Sequence, residues 1–436
     1  MKTLVNPSHL DLLKKHPDAQ ALLKVNEVLT KKGFRSLLAG GAVRDFLLGK
    51  VPKDLDIATN ATPDEVEALF SNTIAVGKAF GVIRVQILGG EIEVATFRKD
   101  GEYADGRHPQ GVTFSEEKED ALRRDFTING LFLDLQTGEV IDYVEGLLDL
   151  QKKELKAIGE PEKRFMEDHL RILRGFRFSA QLGFKLNEET LKKAQELSPL
   201  LVKVSYERLR DEFQKLLMCD HLQELDFLGF QQICVQLFKG DLIDPKAFNK
   251  PSFFKTIQEL KQSHDKSGVK TQSHSHEDLW VFFIATFLNF YGSNLISSGG
   301  FKNYLKTTFQ KWRFSRHQER ETLASLDLFF SGGEFLKKPF YKKLYADQGR
   351  IFDLLKILKP SFWSQDLMQE VLTLENSVIA LHKSELPQPL VNGDDFKGQL
   401  MGAALGEFLE EFYELQLKGI LKTREEAFEF FKKSRC

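Results

Sequence analysis

Cysteine is scarce in this chain. Three thiols, Cys219, Cys234 and Cys436, lie far apart in 436 residues. They argue against a disulfide framework and against a thiolate zinc site, and they point to a reducing compartment, the cytoplasm. Long hydrophobic runs are missing too: no apolar stretch reaches the roughly 20 residues that span a bilayer. The opening MKTLVNPSHLDLLKKH lacks the apolar core of a secretion signal, so no membrane association is expected. Nor is one sign of charge in excess. The 61 Lys and Arg against 63 Asp and Glu leave −2 at pH 7, which argues against a globally basic polyanion binder while leaving room for local basic patches. No internal repeat is evident.

What is present is a globular composition, 42% hydrophobic and 28% charged, at a length that calls for more than one domain. Phenylalanine is abundant, at 38 residues; most serve as core, and a few are available to stack on bases. Residues 1–150 read as mixed α/β, with a helix over 18–32 and a short strand over 36–39. Thr62-Pro63-Asp64-Glu65 is a capping box with Pro at the first helical position, opening a helix to Phe70. Strands over 81–88 and 91–97 are joined by Gly89-Gly90, a hairpin signal. From about residue 151 strand signals fade and helices run to the end. Segments 279–290 and 321–358 are apolar and helical, and Pro387-Gln388-Pro389 marks a break before a last helical unit, 391–434. His264, His274 and His276 in the polar stretch 262–278 fit no standard metal spacing and read as a loop. The expected fold is α+β: a mixed-sheet head over 1–150, then an all-α neck (151–220), body (221–385) and tail (386–436).

The most informative stretch is Gly40 to Thr59, GGAVRDFLLGKVPKDLDIAT. Asp54 and Asp56 are one residue apart, and on a strand such residues share a face. Two neighbouring carboxylates repel unless a cation lies between them. Mg²⁺ binds carboxylate oxygens and shares them with substrate phosphates. Gly40-Gly41 opens a helix starting near Ala42, whose free N–H groups suit a triphosphate, and Arg44, one turn in, adds a charge-assisted contact. Strand, Gly-Gly, helix and Asp-x-Asp strand together suggest phosphate chemistry on nucleotides. Glu93 becomes a third acidic group if its strand packs beside the Asp54 strand.

GG-x-V-R-D followed by D-x-D resembles the class II, polymerase-β-like nucleotidyltransferases, the bacterial CCA-adding tRNA nucleotidyltransferases and poly(A) polymerases. The resemblance extends along the chain, and it implies a polymerase-β-like head. It assigns catalysis to Asp54, Asp56 and Glu93, with Mg²⁺ on Asp54 and Asp56, and nucleotide binding to Gly41 and Arg44. Within Arg123-Arg124-Asp125-Phe126-Thr127-Ile128-Asn129-Gly130 it implies that Asp125 accepts from the ribose 2′-OH and that Arg124 lies near the substrate. The polar loop 100–112 is similar to the family's loop that helps switch incorporation from C to A. Glu167-Asp168-His169-Leu170-Arg171 matches the family's E-D-x-x-R.

Base edges give that last motif its chemistry. Cytosine and adenine each present an amino donor beside a ring acceptor; uracil and guanine present the reverse. Asp168 only accepts and Arg171 only donates. Held together they match C and A, and a mismatch strands buried charges at about 1–3 kcal/mol each. Asp168, Arg171, Arg174 and Arg177 recur at intervals of three, and Arg174 and Arg177 are then free for triphosphate or primer phosphates. Tyr206-Glu207-Arg208-Leu209-Arg210-Asp211-Glu212-Phe213 resembles the family's E-R-x-x-x-E helix and is read as structural.

Lys311-Trp312-Arg313-Phe314-Ser315-Arg316-His317 is basic with interleaved aromatics, a pattern shared by RNA contacts and solvated helix ends. The last segment resembles a tRNA-gripping tail, but has Gly398-Gln399-Leu400 where relatives have Pro-Gly-Pro. Val76-Gly77-Lys78-Ala79-Phe80-Gly81-Val82 lacks the second basic residue of the corresponding stretch in the poly(A) polymerases and has the glycine usual in the CCA-adding enzymes it resembles. The expected function is therefore addition of C, C and A to tRNA from CTP and ATP by two-metal phosphoryl transfer. The alternatives are poly(A) addition, CC-only or A-only addition, and a catalytically silent RNA binder. The sequence sets no oligomeric state.

Overall fold

The computed structural model describes residues 2–4, 12–101, 111–237, 306–307, 309–316, 319, 369, 388–396, 402–417 and 419–433. The expected helices over 279–290 and 321–358, the His-containing segment 262–278, the loop tip 102–110 and Gly398-Gln399-Leu400 lie outside these residues. The chain divides into two compact units, residues 1–245 and 246–436.

The first unit begins with ten strands: β1 (Lys2–Leu4), β2 (Ser36–Ala39), β3 (Asp56–Thr59), β4 (Thr73–Gly77), β5 (Val82–Ile87), β6 (Gly90–Thr96), β7 (Arg98–Asp100), β8 (Val112–Phe114), β9 (Leu131–Leu133) and β10 (Glu139–Asp142). Eight form one sheet in the order β1-β10-β9-β2-β3-β6-β5-β4, while β7 and β8 pair as a separate ribbon. Within the large sheet only β3 and β6 run parallel. Helices α1 (Ala19–Lys31), α2 (Gly41–Leu47), α3 (Pro63–Leu69), α4 (Glu117–Leu122) and α5 (Gly146–Lys152) complete this part.

The burial pattern explains the layering. In α1, Leu22, Val25 and Leu29 recur every three or four residues and are fully buried, the spacing of one helix face. They share a core with Leu38, Val43, Phe46, Ile57, Ile83 and Val94. The opposite sheet face carries a smaller core of Leu37, Ala58, Phe97, Ala121 and Phe132. Both faces of β2 and β3 are covered, so these strands read as apolar runs without alternation. The expected capping box forms, with Glu65 N–H donating to Thr62 Oγ1 and Thr62 N–H donating to Glu65.

The hairpin shifts by one residue from the expected turn. Leu88 and Gly89, at φ +52° and +76°, make the turn, and Gly90 already pairs with Ile87 in the ladder. Positive φ at both central positions suits the right-handed twist of the strands. A side chain at position 90 would meet Asp18 Oδ1 at 2.6 Å and Ala21 Cβ at 2.8 Å, so that glycine serves packing against α1.

Helices then dominate: α6 (Pro161–Glu167), α7 (Leu170–Leu182), α8 (Glu188–Leu197), α9 (Tyr206–Leu217) and α10 (Phe227–Leu237). Strands do not end at 151 as expected. Two-residue strands β11 (Glu154–Leu155) and β12 (Lys185–Leu186) pair in parallel, bringing the chain after α7 back beside the chain after α5. Phe176 and Phe213 both pack on Phe230, joining α7, α9 and α10.

In the second unit, α11 (Ala403–Leu417) and α12 (Arg424–Lys433) fold around Phe396, which touches Phe408, Phe412, Phe428 and Phe431. Trp312 is fully buried and Phe309 packs edge-on to Phe314. The Trp312 ring in the Lys311–His317 segment is therefore core rather than a stacking platform. Among the described residues no helix is long and apolar enough to cross a membrane.

Candidate active site

Asp56 opens β3 and Asp54 precedes it in a bend, so the strand starts two residues later than an Asp-x-Asp strand requires. The two still flank Leu55, which is buried and pins the segment. Because β3 and β6 are parallel and in register, Asp56 lies opposite Glu93. Ile92 and Val94 turn into the core, which leaves Glu93 on the face it shares with Asp56. Burial, then the charge of Glu93, then that of Asp54 push the Asp56 carboxyl up to about 6, against the pull of Arg124. Asp56 thus feels two like charges, an environment that a hard cation relieves. Among the described residues no three acidic, His or Cys side chains form a ready-made metal cage. Glu93 also takes Arg84 Nη2 at 2.9 Å, so part of its charge is already balanced.

Gly40 has φ +67°, and a Cβ there would lie 2.6 Å from Arg124 Nη1. The helix that follows begins at Gly41, one residue before the expected start, and spans only seven residues. Arg44 is not poised at a surface: it is 3% exposed. Its Nε and Nη2 lie 2.8 Å and 2.7 Å from Asp45 Oδ1; Nη1 donates to Asn129 Oδ1 at 2.6 Å. Arg124 donates to Asp120 at 2.9 Å and 3.2 Å and lies over the Phe132 ring.

Asp125 is buried, and both of its oxygens have partners, so it can meet a further donor only by exchanging one of them. Oδ1 accepts from Phe126 N–H at 2.8 Å and Asn129 Nδ2 at 3.0 Å; Oδ2 accepts from Arg174 Nε at 2.9 Å and Nη2 at 2.7 Å. Burial alone would raise its pKa, but Arg174 and Asn129 hold it far below the usual carboxylate range. Arg174 is thus not free for phosphate. Nor is Arg177, whose Nε donates to Glu212 and whose Nη1 donates to Gln181 Oε1 at 2.7 Å.

The side chains of Asp168 and Arg171 are not held together. Helix α6 stops at Glu167, Asp168 is extended, and α7 starts at Leu170, so the expected single helical stripe is broken. Arg208 of α9 grips both oxygens of Asp168, at 3.2 Å and 2.8 Å. Arg171 instead donates to Glu167 Oε2 at 2.7 Å and to the carbonyls of Arg123 and Arg164.

Comparison with known proteins places the chain in a family. The family described as "Poly A polymerase head domain" matches residues 36–156, and "Probable RNA and SrmB- binding site of polymerase A" matches 183–225. A CCA-adding enzyme of Streptococcus uberis is 36% identical over 328 residues, 74% of this chain and 78% of the relative. The chain belongs to the CCA-adding enzyme family. A Streptococcus pyogenes member is 46% identical over 203 residues, 46% of this chain and half of its own length. The fold is shared with the Bacillus stearothermophilus CCA-adding enzyme in complex with CTP, at TM-score 0.69, 24% identity and coverage of 96% and 98%. It is shared as well with the Thermotoga maritima enzyme complexed with tRNA, at TM-score 0.64, 21% identity and full coverage of both chains.

Within this member of the CCA-adding family, three residues hold the site that the sequence motifs include without giving them a place in it: Arg208 and Glu212, in the motif read as structural, and Asn129. Arg208 and Glu212 lie one turn apart on α9, and each holds a residue of the Asp168–Arg177 stretch. The signal was present: Leu209, Phe213 and Leu216 mark the buried face, and Glu212 falls on it. A carboxylate in an apolar stripe needs a cation. Asn129 is the third. Its side chain joins Arg44 to Asp125 and its carbonyl accepts from Arg124 at 3.3 Å.

Proposed function

We propose that this protein adds C, C and A to the 3′ end of tRNA, drawing on CTP and ATP without a nucleic-acid template. The observation that carries the reading is the acidic cluster of Asp54, Asp56 and Glu93, in a chain of the CCA-adding family. Mg²⁺ would be held by Asp54 and Asp56, where it would supply Lewis-acid activation of the tRNA 3′-hydroxyl and charge neutralisation for the leaving pyrophosphate. The S. uberis and S. pyogenes relatives bear the name CCA-adding enzyme, and solved fold-mates hold CTP, ATP or tRNA.

The remaining roles belong to side chains. Glu93 maintains the negative potential beside Asp56. Gly41, Arg44 and Arg124 frame the nucleotide next to the acidic cluster, and Asp125 meets the ribose hydroxyl. Asp168 accepts from the amino group of C or A while Arg171 donates to the neighbouring ring nitrogen. For this to occur Asp168 exchanges part of its pairing with Arg208 for the base, and Arg171 part of its pairing with Glu167. Arg174 and Arg177 hold the recognition helix to Asp125 and Glu212. The division into head (1–150), neck (151–220), body (221–385) and tail (386–436), a cytoplasmic location, and a tRNA-binding role for the tail form part of the same reading.

The test uses tRNAs ending at the discriminator base, at C and at CC, each with CTP, ATP or both, and products read at nucleotide resolution. Growth to CCA and arrest there supports the reading. A long A tail replaces it with poly(A) addition, and arrest at CC or addition of A alone replaces it with a narrower activity.

A further inference from the structure

Three guanidinium groups gather on one aromatic ring. The Cζ atoms of Arg177, Arg174 and Arg44 lie 3.8, 5.1 and 5.2 Å from the centroid of Phe178. Phe178 is 6% exposed and sits on α7 with Arg174 and Arg177, whereas Arg44 arrives from α2 beside the sheet. Phe126, next to Asp125, meets the ring edge-on with centroids 5.9 Å apart. Phe178 is thus a single side chain shared by the helix after the Gly-Gly turn, the Asp125 segment and the helix after Asp168.

Each arginine also has its own anion: Asp45 for Arg44, Asp125 for Arg174 and Glu212 for Arg177. Carboxylates are competitors for an incoming nucleotide, because phosphate oxygens and a ribose hydroxyl seek the same donors and acceptors. The ring is not. Its face attracts cations through a fixed quadrupole, and that attraction persists when a carboxylate exchanges its partner. Burial and the nearby charge of Arg174 press the Arg177 guanidinium below its ordinary pKa despite Glu212.

We propose that Phe178 is a positioning residue for the nucleotide: its π face holds Arg44 and Arg174 in place while Asp125 turns to substrate. This rests on the nucleotidyl-transfer function above. It assigns a role in nucleotide affinity to a phenylalanine that touches no substrate atom.

The test replaces Phe178 in the full chain with mono-, di- and trifluorophenylalanine, which drain the ring's negative face with little change of shape, and adds Phe178→Leu. CTP addition to tRNA ending in C is followed, with thermal unfolding alongside. The expected result is a stepwise rise in KM for CTP, reaching about tenfold, with kcat within about twofold and unchanged unfolding temperatures across the fluorinated series. A KM that is flat across the series overturns the proposal and leaves Phe178 a packing residue, whatever Phe178→Leu does. If the unsubstituted protein extends no tRNA, the proposed function fails instead. Equilibrium dialysis of CTP over the same series then decides about Phe178: affinity that tracks fluorination supports it, and constant affinity sinks it.

Discussion

Arg208 and Asp168 form a two-pronged pair, Nη1 to Oδ1 at 3.2 Å and Nη2 to Oδ2 at 2.8 Å, across the gap between α9 and the break that separates α6 from α7. The planar guanidinium fork matches a carboxylate along one edge. It therefore sets the orientation of Asp168 more tightly than a point charge would, and holds a residue that lies outside any helix. A residue so placed, in the segment we propose reads the base, depends on its partner for direction.

Arg208→Ala is accordingly expected to loosen base choice much as Asp168→Ala does. Losing a charge-assisted pair costs about 1.5–3 kcal/mol, so the ratio of CTP to UTP incorporation should fall roughly 10- to 100-fold. Arg208→Lys keeps the charge, loses the fork and should fall between. Competition assays with mixed nucleotides measure the ratio. If Arg208→Ala still rejects UTP as the unsubstituted protein does, Asp168 does not act through this pair.

Asp54→Ala should abolish incorporation while tRNA binding, followed by gel shift, stays close to that of the unsubstituted protein. Asp54 is exposed, ahead of β3, so its loss leaves the sheet intact. Glu93→Gln removes a charge beside Asp56 without changing its shape, and a partial loss of kcat is expected. Extension of tRNA by Asp54→Ala at the normal rate would show the metal assignment to be wrong.

Asp125 supplies a pH dependence with a definite sign. Burial works to raise its pKa, yet the charge and hydrogen bonds of Arg174, with Asn129, bring it far below the usual range. A carboxylate whose folded pKa lies below its unfolded value of about 3.9 stabilises fully above that value, and loses the contribution as pH falls through the folded pKa. Urea unfolding at a series of pH values should show stability declining below pH ~4. Asp125→Asn should flatten that decline while lowering stability at neutral pH, since Arg174 is left without its main partner. Parallel curves for the two proteins would count against the pair.

Gly146 offers a test of the fold beneath the site. A Cβ there would fall 2.2 Å from the Thr127 carbonyl oxygen and 2.9 Å from its carbon, and backbone cannot give way as a flexible side chain can. Gly146→Ala should destabilise by roughly 3 kcal/mol, read from denaturant midpoints, through displacement of the 127–129 turn that carries Asn129. Gly138→Ala probes the opposite cause, since its position is open but its φ is +69°; backbone strain alone should cost about 1 kcal/mol.

Elements specified by near neighbours were legible in the chain. The Thr62 capping box, the helix over 18–32 and the strand at Ser36–Ala39 each depend on contacts within a few residues or on one face. Glu93 was legible conditionally, because its place depended on β6 lying beside β3, and the parallel register supplied that condition. The turn at Leu88-Gly89 was misplaced by one residue because two adjacent glycines serve different ends, one the positive φ and the other a close approach to α1. Arg174 and Arg177 were read as free because spacing shows which charges share a helix face and not which carboxylate on another helix reaches them.

The amino-acid sequence by itself determined the reaction chemistry and the parts list: carboxylates one residue apart, a Gly-Gly entry to a helix, an acceptor and a donor suited to C and A, and the family that owns them. Only the tertiary structure decided partnership. Asp168 could pair with Arg171, three residues on, but it pairs with Arg208, forty positions away. The helix breaks at Asp168, and α9 packs its charged residues against α7. Ion pairs of a few ångströms are chosen by where helices cross, and that geometry is a property of the packed core rather than of any local run of residues.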